Sequence, residues 1–268
     1  MKLGFIGCGN MAGAIMEGII GSGIAAPSDI IGAEPSATAR DAVQKRLGIR
    51  VTGDNRQAAK EAELLFLTVK PQFLGQVIDE IRDCVTADQL IISIAAGKTV
   101  SWIEERFWKD LRIVRLMPNT PALVGQGMTA VCGNRFAGEE DLEKVCGICR
   151  AFGKAEIVAE RLFDAVTALS GSSPAYVFMF IEAMADAAVQ CGMPRAQAYS
   201  FAAQAVLGSA AMVLETGRHP GELKDMVTSP AGTTIEAVRV LERQGFRSAV
   251  MEAVCACAER SAQMREDQ

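Results

Sequence analysis

A chain of 268 residues, half of them hydrophobic, holds enough apolar side chains for one large core or two ordinary ones. Its formal net charge of −5, with both signs spread along the sequence, leaves no basic footprint and argues against a nucleic-acid partner. No window approaches the ~20 apolar residues that cross a bilayer, so no membrane partner is expected. The opening Met1-Lys2-Leu3-Gly4-Phe5-Ile6-Gly7 carries too short an apolar run for a signal peptide, and a cytoplasmic protein is expected.

Taken in chain order, Leu3–Ile6, Ile30–Ala33, Leu64–Val69 and Leu90–Ile94 are short, continuous apolar runs, the pattern of strands buried on both faces. Between them Met11–Gly21 and Ala37–Leu47 have helical spacing. Such alternation predicts a parallel sheet covered by helices. Arg112–Met117 adds a strand, and Thr129–Cys132 and Ala155–Val158 extend the sheet. After Glu160 the alternation stops. Leu162–Leu169, Pro174–Cys191, Arg195–Thr216 and Phe246–Met264 all carry helical spacing, with Phe246, Val250, Ala253, Val254 and Cys257 on one face of the last.

The expected fold is α/β, with a Rossmann-like dinucleotide-binding domain over residues 1–162 and an all-helical domain over residues 163–268. The helical part is rich in small residues ("FAAQAVLGSAAM") and too short and apolar for a generous core of its own. A homodimer through these helices is therefore expected. Among the eight cysteines, Cys146 and Cys149 form a lone CxxC; the only histidine is His219, and no metal site is expected. The cysteines read as reduced and packed in cores, which implies a reducing compartment. A redox role for the CxxC stays open.

Gly7-Cys8-Gly9-Asn10-Met11-Ala12 reads GxGxxA between a predicted strand and a predicted helix. Gly7 permits the tight turn, Gly9 removes a side chain that would block a pyrophosphate, and Ala12 lets the helix pack on the strand. The helix start then offers unpaired N–H groups to the phosphates. At the end of the second strand, Glu34 suits the ribose hydroxyls of NADH and would repel the 2′-phosphate of NADPH, whereas Ser36, Thr38 and Arg40 suit that phosphate. Three further loops lie at predicted strand ends: Thr68-Val69-Lys70-Pro71, Ala95-Ala96-Gly97-Lys98 and Pro118-Asn119-Thr120-Pro121.

The helical part offers no conventional strong acid or base. No lysine stands between Lys154 and Lys224, and His219 lies in the turn-like "GRHPGE". It offers hydroxyls instead: Ser170, Ser172, Ser173, Tyr176, Thr233 and Thr234. A ketone suits this set poorly. A protonated imine, already electrophilic, suits it well once a cofactor supplies hydride.

Together "FIGCGNMA" (Phe5–Ala12), "VKPQ" (Val69–Gln72), "SIAAG" (Ser93–Gly97), "RLMPNTPALVGQG" (Arg115–Gly127), "LSGSSPAYVF" (Leu169–Phe178) and "ELKDMVTSPAGTTIEAV" (Glu222–Val238) resemble the pyrroline-5-carboxylate reductases almost from end to end. The resemblance implies NAD(P)H-dependent reduction of 1-pyrroline-5-carboxylate to L-proline by a homodimer, in this family often gathered into rings of dimers. It favours NADPH, which Glu34 leaves open. By position it implies coenzyme contacts from Ile6, Gly7, Cys8, Gly9, Asn10, Met11, Asn55, Thr68, Val69, Lys70, Pro71, Ala95, Ala96 and Gly97, beside the Glu34 and Ser36 already read. It implies a substrate site bounded by Glu160, Ser229, Gly232, Thr233 and Thr234, with Thr234 as the catalytic proton donor. Ala231 stands where the family commonly has glycine, and Ser173 replaces the glycine of its SGSG turn.

The stretch "VTSPAGTT" (Val227–Thr234) ends in Thr233-Thr234-Ile235-Glu236, a capping-box pattern that would present N–H groups to the substrate carboxylate. Two rivals share the glycine loop. A β-hydroxyacid dehydrogenase would need a lysine soon after the Ser170–Pro174 turn, and Ala175–Phe180 has none. A dinucleotide-binding sensor would need no substrate loop. Another imine reductase on the same scaffold stays open.

Overall fold

The computed structural model describes residues 1–266. The chain divides into two units: Met1–Ser172 with the residues from Cys257 on, and Ser173–Ala256.

The first unit is built on one eight-stranded sheet. Its strands are β1 (Leu3–Ile6), β2 (Ile30–Ala33), β3 (Arg50–Thr52), β4 (Leu64–Leu67), β5 (Leu90–Ser93), β6 (Arg112–Met117), β7 (Gly127–Gly133) and β8 (Gly153–Ile157), in the order β3-β2-β1-β4-β5-β6-β7-β8. The connecting helices are α1 (Asn10–Gly21), α2 (Ala37–Leu47), α3 (Asn55–Glu61), α4 (Pro71–Ile81), α5 (Val100–Phe107) and α6 (Glu139–Cys149). The order reverses at β1, so the loops after β1 and β4 flank the crevice where such sheets take their ligands.

β1 to β6 pair in parallel as expected, and β7, whose direction the sequence left open, runs antiparallel to β6. Residues 118–126 between them are fewer than the dozen or so that a parallel crossover needs. β8 pairs in parallel with β7.

Alternate strand residues fill two cores. On one face Leu3, Phe5, Leu64 and Phe66 pack with Ala12, Ile15, Met16 and Ile19 of α1; on the other Ile6, Leu65 and Leu67 pack with Leu74, Val77, Ile78 and Ile81 of α4. Phe5 and Phe66 stack with centroids 4.5 Å apart. Fully burying one such ring contributes about 2–3 kcal/mol.

The segment expected as one helix over Leu162–Leu169 is instead a 3₁₀ turn (Glu160–Leu162), the short α7 (Phe163–Val166) and a π-helical turn (Thr167–Gly171). Pro174 follows at the spacing where an α-helix would donate to the Ser170 carbonyl, and it has no N–H. The Asn119 amide supplies that bond at 3.0 Å.

The second unit is helical: α8 (Ser173–Gln190), α9 (Arg195–Thr216), α10 (Pro220–Met226), α11 (Thr233–Arg243) and α12 (Phe246–Glu266), whose residues from Cys257 on belong to the first unit. α8 and α9 form a hairpin turned at Gly192 (φ +96°), zipped by the buried alanines Ala185, Ala198 and Ala202. Phe178, Met179, Phe201, Leu207, Leu214 and Met251 are each more than half exposed. Among the described residues no helix is long and apolar enough to cross a membrane.

Candidate functional site

The glycine loop follows β1 as its residue types require. Gly7 has φ +94°, and a Cβ there would fall 2.9 Å from Val69 Cγ1 and 3.0 Å from the Val69 nitrogen. The constraint at Gly7 is thus left-handed backbone and close approach to the end of β4. Gly9 is the N-cap of α1, makes no side-chain cap bond, and has open space where a Cβ would stand. The N–H groups at the head of α1 are left for an outside acceptor. The Thr68 hydroxyl lies within hydrogen-bonding distance of the carbonyls of Ile6 (2.9 Å) and Gly7 (2.6 Å), tying the loop to the next strand.

Cys8 turns under the loop, its buried thiol 3.7 Å from the Ala33 carbonyl, and burial and then the Glu34 carboxylate push its pKa up to about 12. Cys132, Cys146 and Cys149 are also buried with raised pKa values, chiefly through burial. All eight cysteines are free, and Cys191 and Cys255 are exposed, which corrects the expectation that the cysteines pack in cores.

Glu34 stands just past β2. Its Oε2 accepts from the Cys8 N–H (3.3 Å) and its Oε1 from the Ser36 N–H (3.2 Å). The Ser36 hydroxyl caps α2 by accepting from the Ala39 N–H. Arg40 spends Nη1 on the carbonyls of Glu34 (2.8 Å) and Pro35 (2.9 Å).

The other predicted coenzyme residues sit at neighbouring strand ends. Lys70 is the exposed N-cap of α4 and Pro71 its first residue. Asn55 opens α3 and donates to Glu80 on α4 at 2.8 Å. Ala95 is buried, while Ala96 and Gly97 are half-buried. Gly97 has φ +74°. Lys98 is buried with its ammonium 4.1 Å above the Trp102 ring, and burial and then Arg106 lower its pKa.

Glu160 has a partner that the sequence reading missed. Its Oε1 accepts from the Val100 N–H (2.7 Å) and from Nη1 of Arg115 (2.9 Å), whose side chain is only 5% exposed and stacks 4.5 Å over Phe163. The carboxylate therefore joins the head of α5, β6 and the turn before α7. Asn119, likewise unassigned by the sequence, clamps the loop after β6 by accepting from the Met128 N–H (2.8 Å) while it donates to Ser170. A cavity of about 160 Å³ opens beside Ala96 and Gly97, lined also by Thr167, Ser172, Arg260 and Ser261. The Ser261 hydroxyl donates to the Asp164 carboxylate at 2.8 Å.

In the second unit the loop Ser229–Thr234 leads into α11. Ala231 has φ +55°, a left-handed conformation rarely taken by a residue with a Cβ. The Gly232 N–H donates to the Ser229 carbonyl at 3.1 Å, and a Cβ on Gly232 would strike Ser229 Oγ at 2.2 Å. The N-cap is Gly232, without a side-chain cap bond, so the capping box expected of Thr233 and Glu236 does not form. Glu236 pairs instead with Arg239, three residues on. Thr233 is exposed and Thr234 half-buried in the first turn. The N–H groups of that turn have no side-chain cap, and the positive end of the helix dipole lies there.

An open approach at Gly9, an uncapped α1 and a carboxylate set at the end of β2 fit a dinucleotide on the first unit.

Comparison with known proteins agrees over the whole length. Residues 160–264 match the family profile described as pyrroline-5-carboxylate reductase dimerisation, and residues 2–97 that of NADP oxidoreductase, coenzyme F420-dependent. The chain is 54% identical over 260 residues to the pyrroline-5-carboxylate reductase of Escherichia coli (strain K12), covering 97% of each. It superimposes on a pyrroline-5-carboxylate reductase from Coxiella burnetii with TM-score 0.91, 38% identity and 98% of each chain covered. For Plasmodium falciparum pyrroline carboxylate reductase with NADP bound, the TM-score is 0.89 and the identity 33%, over 99% of this chain and 98% of that one.

Proposed function

The chain belongs to the pyrroline-5-carboxylate reductase family, and we propose that it reduces 1-pyrroline-5-carboxylate to L-proline with NAD(P)H, the last step of proline synthesis. We place it in the cytoplasm, as a homodimer through the helices of the second unit. The observation that carries the reading is the head of α11, where an uncapped first turn presents N–H groups and two threonine hydroxyls.

A bound nicotinamide coenzyme supplies hydride to the imine carbon. The protein's part is binding, orientation and one proton. The N–H groups at the head of α1 hold the pyrophosphate, and Thr68 keeps their loop in register. Ser229, Gly232 and Thr233 receive the substrate carboxylate at the positive end of α11. Thr234, one residue further on, holds the ring nitrogen through its hydroxyl and relays to it a proton from water as the C=N bond becomes C–N, so that the hydroxyl is regained in the same step. Glu160, within the first unit, fixes the head of α5 through the Val100 N–H.

Steady-state coenzyme oxidation with 1-pyrroline-5-carboxylate, set beside 2-keto acids, tests this. Turnover of the cyclic imine alone is expected. Reduction of 2-keto acids without the imine would sink the reading, and binding without turnover would favour a sensor.

A further inference from the structure

We propose that Glu34 makes this protein select NADH over NADPH, by reading the adenosine ribose as a diol and turning away a 2′-phosphate. The inference rests on the dinucleotide site assigned to the loop between β1 and α1, and goes beyond it in choosing the coenzyme.

The carboxylate is fixed at both oxygens. Oε2 takes the Cys8 N–H from the glycine loop, and Oε1 takes the Ser36 N–H one residue before α2. Each carboxylate oxygen has two acceptor positions, so each keeps one free. A ribose with both hydroxyls brings two donors to those positions. A 2′-phosphate brings negative charge and at neutral pH little or no donor capacity.

The backbone N–H groups that could welcome a phosphate already serve Glu34, and the side chains beside it are partly committed. The N–H groups of Cys8 and Ser36 point at Glu34. The Ser36 hydroxyl accepts the α2 cap bond. Arg40, the nearest cation in the sequence, has Nη1 held by the Glu34 and Pro35 carbonyls. A phosphate here would face a carboxylate in a partly desolvated crevice, where like charges repel more strongly than in water. The feature that selects here is a carboxylate at position 34 held by two backbone N–H groups.

Calorimetric titration of the full chain without imine tests this, using NADH, NADPH, ADP-ribose and 2′-phospho-ADP-ribose against wild type, Glu34→Ser and Glu34→Gln. Wild type is expected to bind NADH at least about tenfold more tightly than NADPH, with the two fragments showing the same gap. Glu34→Ser should close or invert that gap, losing affinity for NADH and gaining it for NADPH. Glu34→Gln keeps the shape, removes the charge and should recover part of the NADPH affinity, so it carries the test if Glu34→Ser proves unstable. Equal binding in wild type, tighter NADPH, or a gap that survives both substitutions would overturn the inference. If neither coenzyme binds, the dinucleotide site and this inference fall together. Selective NADH binding without turnover of pyrroline-5-carboxylate would strike the proposed reaction and leave this inference standing.

Discussion

The two units treat their apolar side chains in opposite ways. In the first, a sheet lies between helices, and Phe5, Phe66, Leu67 and Ile92 are all but inaccessible. In the second, a helical hairpin is zipped by three alanines, while Phe178, Phe201, Leu207 and Leu214 remain more than half exposed. Side chains on the sheet alternate toward two covered faces, so short apolar runs suffice for a core. Alanines let two helices approach closely but bury little area. The first unit therefore carries its own core and can hold a preformed cleft, whereas an apolar surface such as the second unit's marks an interface.

The strongest way to break that contrast is to charge the exposed face of α9. Leu207→Glu combined with Leu214→Glu, seven residues apart and so on one face, should weaken self-association at least about a thousandfold, roughly 4 kcal/mol, in sedimentation velocity. A variant that sediments like wild type would show that these helices are not the interface. Thr234→Ala, also in the second unit, should lower kcat about a hundredfold while coenzyme affinity, a property of the first unit, stays put. Equal losses in both would contradict the assignment of proton delivery to Thr234. Glu160→Ala should cost the first unit about 2 kcal/mol in denaturant unfolding, because it strands the buried Arg115 guanidinium. The loss stays below that of a fully buried pair because the carboxylate is 33% exposed. The smallest effect is at Ala231, whose φ of +55° suits glycine. Ala231→Gly should stabilise the loop by about 1 kcal/mol, seen as a small rise in melting temperature; a fall would mean that the alanine methyl makes a contact worth more than its strain.

The sequence exposed the first unit more fully than the second. Four apolar runs became β1, β2, β4 and β5, because a strand buried on both faces must be apolar throughout. β3 escaped notice because Arg50-Val51-Thr52 is three residues of a partly exposed edge. The direction of β7 was invisible because periodicity carries no polarity. Arg115 reads as an outward-facing strand residue; its burial is intelligible only with Glu160 and Phe163 around it, 45 residues or more along the chain. The π-turn hid behind helical spacing, and its signal, Pro174 four residues after Ser170, means something only once Asn119 is seen to fill the missing bond. In the loop before α11, the T-x-x-E pattern pointed to the helix start at Thr233 but named the wrong cap, because Gly232 takes the extended N-cap conformation itself.

The reaction can be tested most directly by its stoichiometry: L-proline formed for each coenzyme oxidised when the purified chain is given 1-pyrroline-5-carboxylate. One proline per coenzyme, saturable in the imine, is the predicted result. Coenzyme oxidation that leaves no proline, or coenzyme binding with the imine untouched, would contradict it.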